Sequence, residues 1–457
     1  MISQKADGRF KRIATRLVTC ALAICLVAGV ASFAEPAYAA AEFEGSTPFG
    51  STGRSVYYHN GRFTGSVIAN GVDMSDWQSS KCNLATAKSK GVDFAILRLT
   101  WTSYSKTKFS YKNNDSSFAS NFKSAKDSGV MTGAYVFSQA KSASEAKKEA
   151  KYAISRLKSL GLGPDDFELP IYMDYEFAGG KSGRLYGNLS KTSATAAAKA
   201  FCDTIRDAGY TPGIYASTLF FSKYIDTGKL GSDVDYWCAQ YYKRCESGIN
   251  YTKWQYSSTA RIGGLLSYLG VKGNIDVNFW YLNKTSSISP NVTVKVTKKY
   301  KYTGKAIEPK VTVKNGNNTL VEGVDYVVGG INNKYPGAGY AYIKGIGKYS
   351  GYVLKPIIVK PAQTSIISLR ARTQGFRVTV KKLGKTKTTG YQVRYSRRSD
   401  MEESEIKTIG TKNTDVTEKI TTNARKQLYY VQVRSYMTID GKNYYSAWSD
   451  TQTVTSK

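Results

Sequence analysis

The residue pattern of this chain changes near residue 285, and the change limits the folds that the chain can adopt. Before that point, short apolar runs alternate with amphipathic helical patterns; after it, every periodic segment alternates as a strand does. We therefore predict an α/β barrel followed by two all-β sandwich domains. The strands predicted for the barrel are residues 71–75, 94–99, 132–137, 171–174, 212–216, 236–242, 253–256 and 274–279.

Helices are predicted between several of these strands. Residues 142–160 begin with a capping box of Ser142 and Glu145, and their alanines and leucines share one face. Residues 118–128 and 193–208 are each followed by a glycine, a common helix stop. Eight strands with about five helices describe an irregular barrel of the triosephosphate isomerase kind, whose last third has little room for helices.

Two carboxylates at the end of one apolar strand point to the chemistry. Asp174 and Glu176 are two residues apart, so their side chains share one face of the strand. Paired carboxylates a few ångströms apart carry out glycoside hydrolysis. Reactive groups of such barrels lie at the carboxyl ends of strands, where we also expect Asp73 and Asp276 to meet across the barrel seam. For Asp73 and Asp276, the alternative is a structural role in tying strand ends together.

Histidine usage argues against several other chemistries. His59 is the only histidine of the 457 residues, whereas serine and cysteine nucleophiles normally depend on a histidine base and zinc hydrolases need histidine ligands. No metal or cofactor is implied. We expect His59 itself to be a surface residue in the polar segment over residues 57–62.

The first 39 residues have the pattern of a signal peptide. Basic residues between positions 9 and 16 precede an apolar stretch over residues 17–34, and Ala37-Tyr38-Ala39 fits a cleavage site. We therefore expect a secreted protein, extracellular or associated with the cell wall, without a membrane span after signal removal. Sequence does not determine the disulfide pairing of the cysteines that remain. They are Cys82, Cys202, Cys238 and Cys245.

Five motifs, in order along the first part, resemble those of one enzyme family. The motifs are Gly71-Val72-Asp73-Met74-Ser75-Asp76-Trp77-Gln78, Asp174-Tyr175-Glu176, Gly213-Ile214-Tyr215, Trp254-Gln255-Tyr256-Ser257-Ser258 and Ile275-Asp276-Val277-Asn278. Together they resemble glycoside hydrolase family 25, the Chalaropsis-type lysozymes, and the resemblance covers roughly residues 70–283. It departs from the family pattern at Val136, where the family usually has histidine.

The resemblance implies an N-acetylmuramidase that hydrolyses the β-1,4 bond between N-acetylmuramic acid and N-acetylglucosamine in peptidoglycan glycan strands, with retention. Glu176 would be the general acid, kept protonated by the crowding of Asp174 and a partly dry site. Asp174 would stabilise positive charge at the anomeric carbon or orient the substrate's acetamido group. The sequence does not separate a covalent enzyme intermediate from acetamido participation. The residues expected to bind substrate are Tyr135, Tyr215, Trp254, Gln255 and Arg98. For Arg98, the alternative is an ion pair with one of the acids at the strand ends.

Two modules of different kinds follow the barrel. Residues 290–361 resemble bacterial immunoglobulin-like domains, and residues 363–457 resemble a fibronectin type III domain. For both modules the alternatives are a spacer role and a wall-binding role. In the last module, nine residues are predicted to face inward: Phe376, Val378, Val380, Tyr391, Val393, Tyr395, Tyr429, Val431 and Val433.

The positive charge of the chain is concentrated in these modules. Residues 291–457 contain 30 lysines and arginines against 11 aspartates and glutamates, which is +19 of the total +31. In an exported protein, this charge favours anionic wall polymers as partners over nucleic acid. We expect removal of residues 290–457 to weaken wall binding and to leave cleavage of soluble glycan intact.

The predicted boundaries are 1–39 for the signal peptide, 40–69 for an N-terminal linker or extension, 70–285 for the barrel, 290–361 for the immunoglobulin-like domain and 363–457 for the fibronectin-like domain. One alternative function is a chitinase- or glucosaminidase-like hydrolase. A chitinase would have another acid two residues before Asp174, where Tyr172 stands. The other is a non-catalytic surface protein that only binds cell-wall glycan.

Overall fold

The structure is a computed structural model. It describes residues 42–50, 53–78, 82–262, 274–289, 291–384, 388–410, 412–439 and 441–457. The predicted signal peptide lies outside the described residues. Among the helices of the described part, none is long and apolar enough to cross a membrane.

The described part of the chain begins with a β-hairpin that packs on the barrel. Strands β1 (Phe43–Gly50) and β2 (Gly53–His59) pair antiparallel. The Tyr57 ring lies 4.6 Å from that of Tyr256, and the Thr47 hydroxyl is 2.5 Å from the Tyr256 hydroxyl. The predicted extension over residues 40–69 therefore contains a hairpin that covers part of the barrel.

The expectation that His59 lies on the surface was wrong. Its side chain is buried, and Nδ1 is 2.7 Å from the Tyr281 hydroxyl. Burial lowers the pKa of His59 to about 4, so the ring is neutral near pH 7. His59 ends β2, and the hairpin turns it against the aromatic residues Phe279 and Tyr281 of the barrel wall.

Eight strands close a barrel, and five helices connect them in the part of the chain described between residues 67 and 282. The strands are β3 (Val67–Met74), β4 (Phe94–Trp101), β6 (Met131–Ser138), β7 (Ile171–Tyr175), β8 (Pro212–Ser217), β9 (Asp235–Ala239), β10 (Lys253–Ala260) and β11 (Ile275–Leu282); the short β5 (Asn113–Asn114) pairs with the edge of β4. The helices are α1 (Leu84–Ser89), α2 (Phe118–Asp127), α3 (Ala143–Ser159), α4 (Lys191–Asp207) and α5 (Thr218–Tyr224).

The helices follow the local signals of the sequence. The Ser142 side chain accepts a hydrogen bond from the Glu145 amide and caps α3, whose apolar side faces the core. Ser190 and Ser193 form a reciprocal cap at the start of α4. The three predicted helices are present with ends shifted by one or two residues, as expected where helix ends fray.

The last barrel strand runs in the opposite direction to its neighbours. Apart from the short β5, the strands from β3 to β10 follow one another in parallel, whereas β11 is antiparallel to both β10 and β3. We expected Asp276 at the carboxyl end of a parallel strand, and this was wrong. Asp276 lies near the amino end of β11, and the reversal brings that end to the rim formed by the carboxyl ends of the other strands.

The second domain packs beneath the barrel. Its strands are β12 (Ile288–Ser289), β13 (Val292–Val296), β14 (Lys299–Lys301), β15 (Val311–Asn315), β16 (Asn318–Thr319), β17 (Tyr326–Ile331), β18 (Gly337–Gly345) and β19 (Ser350–Lys360). They form one five-stranded and one three-stranded sheet. Ile331, Tyr342 and Leu354 join a hydrophobic cluster with Phe94, Tyr172 and Trp280 at the barrel floor. The second domain and the barrel thus share a core.

Polar contacts add to this interface. The Lys88 ammonium donates to the Gly330 carbonyl at 2.7 Å, and the Asn332 amide donates to the Asp93 carboxylate at 3.0 Å. Lys88 and Asp93 are themselves buried and 3.6 Å apart. A buried charge needs such a partner, so these contacts fix how the second domain sits on the barrel.

The third domain has a core of its own. Its strands are β20 (Ile366–Arg372), β21 (Gly375–Val380), β22 (Gly390–Ser396), β23 (Glu405–Ile409), β24 (Thr417–Thr421), β25 (Leu428–Ile439), β26 (Lys442–Tyr445) and β27 (Gln452–Thr455), in a three-stranded and a five-stranded sheet. All nine residues predicted to face inward are buried. Among the described residues, its core cluster includes none from the barrel or the second domain.

Candidate active site

Four acidic side chains meet at one rim of the barrel. Asp73 lies near the end of β3, Asp174 lies in β7, Glu176 follows β7, and Asp276 lies near the start of β11. Asp73 and Asp276 are directly opposite each other in the β3–β11 pairing. All four line a cavity of about 280 Å³ that also contains Tyr135, Tyr215, Gln255 and Arg98.

Asp73 is buried and held by two amides. Its carboxylate accepts from Gln255 Nε2 at 2.9 Å and from Asn278 Nδ2 at 2.8 Å, and it is hydrogen-bonded to Asp276. Burial, followed by the charge of Asp276, raises the pKa of Asp73 well above its usual range. Burial also raises the pKa of Asp276, to about 6. The two carboxyl groups are therefore suited to share a proton.

Asp174 faces the cavity with an oxygen that has no hydrogen-bond partner among the described residues. Its Oδ1 is buried, and the residue is 7 % exposed. Burial, then the charges of Glu176 and Asp73, raise its pKa well above the usual range, while Arg98 acts in the opposite direction. A buried carboxyl oxygen without a partner is costly, and a ligand that offers a donor or a positive charge would relieve that cost.

The surroundings of Glu176 favour its protonated form more than those of an ordinary glutamate. Burial raises its pKa to about 7, and the nearby charge of Asp276 adds to the increase. The carboxyl group is only partly covered and lines the cavity. Two acids on adjacent positions of one face thus differ in surroundings: Asp174 is buried, and Glu176 is at the opening.

A hydrogen-bond network fixes the wall beside these acids. The hydroxyls of Tyr215 and Tyr241 donate to Gln255 Oε1 at 2.7 and 2.8 Å, and the amide of Gln255 donates to Asp73. Trp237 Nε1 donates to Asn278 Oδ1 at 2.8 Å. Each amide is held from both ends, which orients the donors that surround Asp73.

Arg98 pairs with two acids other than the four at the rim. Its Nε donates to Asp115 at 2.8 Å, and its Nη2 pairs with Asp76. The Asp76 amide also donates to Asp115, at 3.0 Å. Arg98 thereby holds the loop after β3 in place, and its partners are not the strand-end acids that the alternative expected.

Trp254 does not line the cavity. It is fully buried, its Nε1 donates to the Gln240 carbonyl at 2.8 Å, and its ring packs against Tyr57 of the hairpin. The expectation that it contacts substrate was therefore wrong. Successive residues of a strand face opposite sides, so Trp254 points outward because Gln255 points into the site.

Sequence reasoning missed Asp115, Asn278 and Tyr241 as parts of the site. Asn278 had a signal, since it lies two residues after Asp276 and shares its face of β11. Tyr241 lies just after β9, where none of the five sequence motifs marks it. Asp115 lies in a polar segment without periodicity, where no pattern indicates a partner for Arg98.

A second cavity has fewer acidic lining residues than the cavity at the rim. A cavity of about 370 Å³ lies near the amino end of β4, where Asp93 is its one acidic lining residue among those described. Among the described residues, no group of three or more histidines, cysteines or acids could hold a metal ion.

The barrel region of the chain is similar to known proteins. Residues 72–265 match the family Glycosyl hydrolases family 25. The chain is 30% identical over 219 residues to Lysozyme M1 of Streptomyces globisporus; the match covers 46% of this chain and 66%, just under two thirds, of that protein.

Solved structures are also similar. The modular autolysin LytC from Streptococcus pneumoniae, in complex with a synthetic peptidoglycan ligand, has 22% identity and a TM-score of 0.39, covering 47% of each chain. A family 25 glycosyl hydrolase from Bacillus anthracis has 20% identity and a TM-score of 0.37, covering 47% of this chain and 90% of that one. Residues 72–265 of this chain are a glycosyl hydrolase family 25 domain.

Proposed function

We propose that this protein is a secreted peptidoglycan hydrolase, a muramidase that cleaves the β-1,4 bond between N-acetylmuramic acid and N-acetylglucosamine. The observation that carries the proposal is the pair of Asp174 and Glu176 in one cavity, with the pKa of Glu176 raised to about 7. Further support comes from the family 25 domain and from the similarity to a protein named as a lysozyme.

Glu176 acts as the general acid in this proposal. Its carboxyl proton goes to the glycosidic oxygen as the bond from that oxygen to the anomeric carbon breaks, and the ionised Glu176 later takes a proton from the attacking water. The high pKa makes the protonated form available near neutral pH, and the partial opening of the side chain lets it reach a substrate.

Asp174 responds to the positive charge of the transition state. Burial and the neighbouring acids raise its pKa, but positive charge at the anomeric carbon favours the ionised form. The unpartnered Oδ1 is the group that would face this charge or accept the acetamido N–H of the substrate. The backbone spacing of two residues on a strand, roughly 6.6 Å, is close to the lower end of the carboxyl separations of inverting enzymes, but it does not fix the distance between the two carboxyl groups. Retention is proposed from the family alone.

Asp73 and Asp276 support the pair from across the seam. Asp73 is held by Gln255 and Asn278, and Asp276 raises the pKa of Glu176 through its charge. Tyr135, Tyr215 and Trp77 line the cavity, and the exposed ring of Trp77 is the one available to stack on sugar. No step of this reaction requires a metal or cofactor.

Export and wall attachment belong to the same proposal. The basic residues of the second and third domains would hold the enzyme near anionic wall polymers, while the barrel cleaves the glycan. The signal-peptide pattern of residues 1–39 supports export.

Mass spectrometry of peptidoglycan digests tests the proposal. The mature protein should release fragments with reducing-end N-acetylmuramic acid, and Glu176→Gln should release none. Asp127→Asn, which changes an exposed carboxylate of α2 that pairs with Lys123, serves as a control and should retain cleavage. Reducing-end N-acetylglucosamine would identify a glucosaminidase instead. Glycan binding without products on several wall types would identify a binding-only barrel.

A further inference from the structure

A buried carboxylate behind the rim has no role in the reaction described above. Glu149 lies in the middle of α3, on the face that otherwise buries Ala146, Ala150, Ala153 and Leu157, and it is 1 % exposed. An acid on the apolar face of a helix costs stability unless its oxygens are satisfied. Its partners therefore indicate why it is there.

Glu149 binds the ends of two barrel strands. Its carboxylate accepts from the Thr102 hydroxyl at 2.6 Å, from the Ser138 hydroxyl at 2.5 Å and from the Gln139 amide at 3.2 Å. Thr102 follows β4, and Ser138 ends β6. Burial raises the pKa of Glu149 to about 7 despite these three donors. The buried carboxylate of Glu149 thus links the carboxyl ends of β4 and β6.

One of these partners also contacts the backbone of Glu176. Gln139 Nε2 donates to the Glu176 carbonyl at 3.0 Å and to the Ser138 carbonyl at 2.8 Å. Glu176 is the first residue after β7, whose last residue, Tyr175, is paired with Ser138. The Gln139 side chain thus extends the link between β6 and β7 by one residue, to the position of the general acid.

A second contact fixes Gln139 from the other side. Arg184 Nε donates to the Gln139 carbonyl at 3.0 Å, and the Arg184 guanidinium pairs with Glu145 of α3. The backbone N–H of Gln139 is therefore held by Glu149, its backbone carbonyl by Arg184, and its side-chain amide by the Glu176 carbonyl. A displacement of about 1 Å at a reacting group can cost roughly 100-fold in rate.

We propose that Glu149 is a positioning residue for Glu176, acting through Ser138 and Gln139. This inference rests on the proposed function, because Glu176 is taken as the general acid. Glu149 touches no substrate; it sets where the backbone of Glu176 lies and hence where its carboxyl group points.

A matched pair of substitutions tests the proposal. Glu149→Gln keeps the shape and removes the carboxylate. Glu168→Gln does the same at the opposite end of β6, where Glu168 accepts from the Thr132 amide at 2.8 Å. With soluble glycan, Glu149→Gln should lower kcat roughly 10-fold with little change in KM, and Glu168→Gln should leave kcat within about twofold. Equal effects of the two variants on kcat would overturn the proposal.

A double-mutant cycle tests the route through Gln139. Gln139→Met preserves length and removes the donor to Glu176. If Glu149 acts through Gln139, adding Glu149→Gln to Gln139→Met should lower kcat much less than it does in the parent protein. Fully additive losses would contradict the route. If Glu149→Gln does not fold, Ser138→Ala, which removes one donor and keeps the carboxylate, should show the same kcat effect to a smaller degree and the same non-additivity.

A readout independent of turnover separates this proposal from the proposed function. The backbone amide NMR signals of residues 176 and 177 should shift in Glu149→Gln and stay in place in Glu168→Gln. Unshifted signals in both variants would refute positioning by Glu149. If the parent protein cleaves no glycan but Glu149→Gln still shifts these signals, the muramidase proposal is refuted and the structural link between Glu149 and Glu176 stands.

Discussion

The second and third domains are both made of short strands, yet they meet the barrel differently. The second domain places Ile331, Tyr342 and Leu354 in one cluster with the barrel floor. The third domain has a separate hydrophobic core, and Ile439 of this domain contacts Gly337 of the second domain. The difference teaches that the second domain is part of the structural support of the candidate enzyme, whereas the third is an attachment.

The sequence contained a sign of this difference. In β22, Tyr391, Val393 and Tyr395 alternate with Gln392 and Arg394, as in a sheet with one face in solvent. In β18, the run Tyr340-Ala341-Tyr342-Ile343 has no polar residue between apolar ones. Ala341 and Ile343 face the domain's own core, and Tyr342 faces the barrel. Unbroken apolar runs are typical of sheets that are covered on both faces.

Truncation should give the largest effect. A chain that ends at residue 362 loses only the third domain and should keep its melting temperature within a few degrees and its cleavage of soluble glycan. A chain that ends at residue 285 exposes the barrel floor. Because burying each large apolar side chain contributes about 1.5–3 kcal/mol, we expect this chain to be largely unfolded or inactive. Thermal unfolding and glycan cleavage measure both outcomes.

This prediction replaces the one made from sequence, in which removal of residues 290–457 left cleavage intact. That prediction treated both domains as separable. A chain ending at residue 285 that folds and cleaves as well as the full chain would show that the shared core is dispensable, and the contrast between the two domains would fail.

A pair of tyrosine substitutions probes the same contrast with smaller changes. Tyr342→Ala opens a cavity beside Trp280, whose ring is 5.6 Å away, and should destabilise the barrel by about 3–5 kcal/mol. Tyr391→Ala removes an equally buried ring from the third domain and should lower the stability of that domain alone. Calorimetry with and without a soluble glycan ligand assigns each transition. Loss of barrel stability in Tyr391→Ala would contradict an independent third domain.

The loss of activity at high pH should come from the ionisation of Glu176 at the rim. Because Glu176 must be protonated to act and its pKa is raised to about 7, kcat/KM should fall as pH rises above about 7. Asp276→Asn removes a charge that raises this pKa, so the fall should move to lower pH. The chain that lacks the third domain should have the same profile as the full chain. A profile that changes with the third domain would mean that this domain reaches the site.

Wall binding should show the smallest and most salt-dependent effect. Removing residues 363–457 takes away about half of the positive charge after residue 290, so sedimentation with whole walls should weaken several-fold at low salt and little at high salt. Soluble glycan cleavage is the control and should not change. Equal sedimentation of both chains at low salt would remove the charge-based role.

Much of the barrel was predictable because its local signals agree with its tertiary structure. Ser142 caps a helix where the pattern predicts one, and Asp174 and Glu176 share a rim because two residues separate them on a strand. Asp73 and Asp276 are paired across the seam, as expected. The contributions of these acids to the reaction remain predictions.

The errors have a common physical cause. The direction of β11 decides which end of that strand carries Asp276, and strand direction is not encoded in a period of two. His59 and Trp254 are buried because the hairpin covers the outer wall of the barrel, and such a contact between distant segments leaves no periodic trace. Glu149 belongs to the same class: its helix looks ordinary, and only the fold brings it to Ser138 and Gln139.

The most direct test of the central claim is the ionisation of Glu176 in the free protein. The side-chain carboxyl group can be followed by carbon-13 NMR across a pH titration, with Glu176→Gln used to assign the signal. The account predicts a midpoint near pH 7, as burial and Asp276 require. A midpoint near the ordinary value of about 4.3 would mean that Glu176 is ionised at neutral pH and would contradict its role as the proton donor.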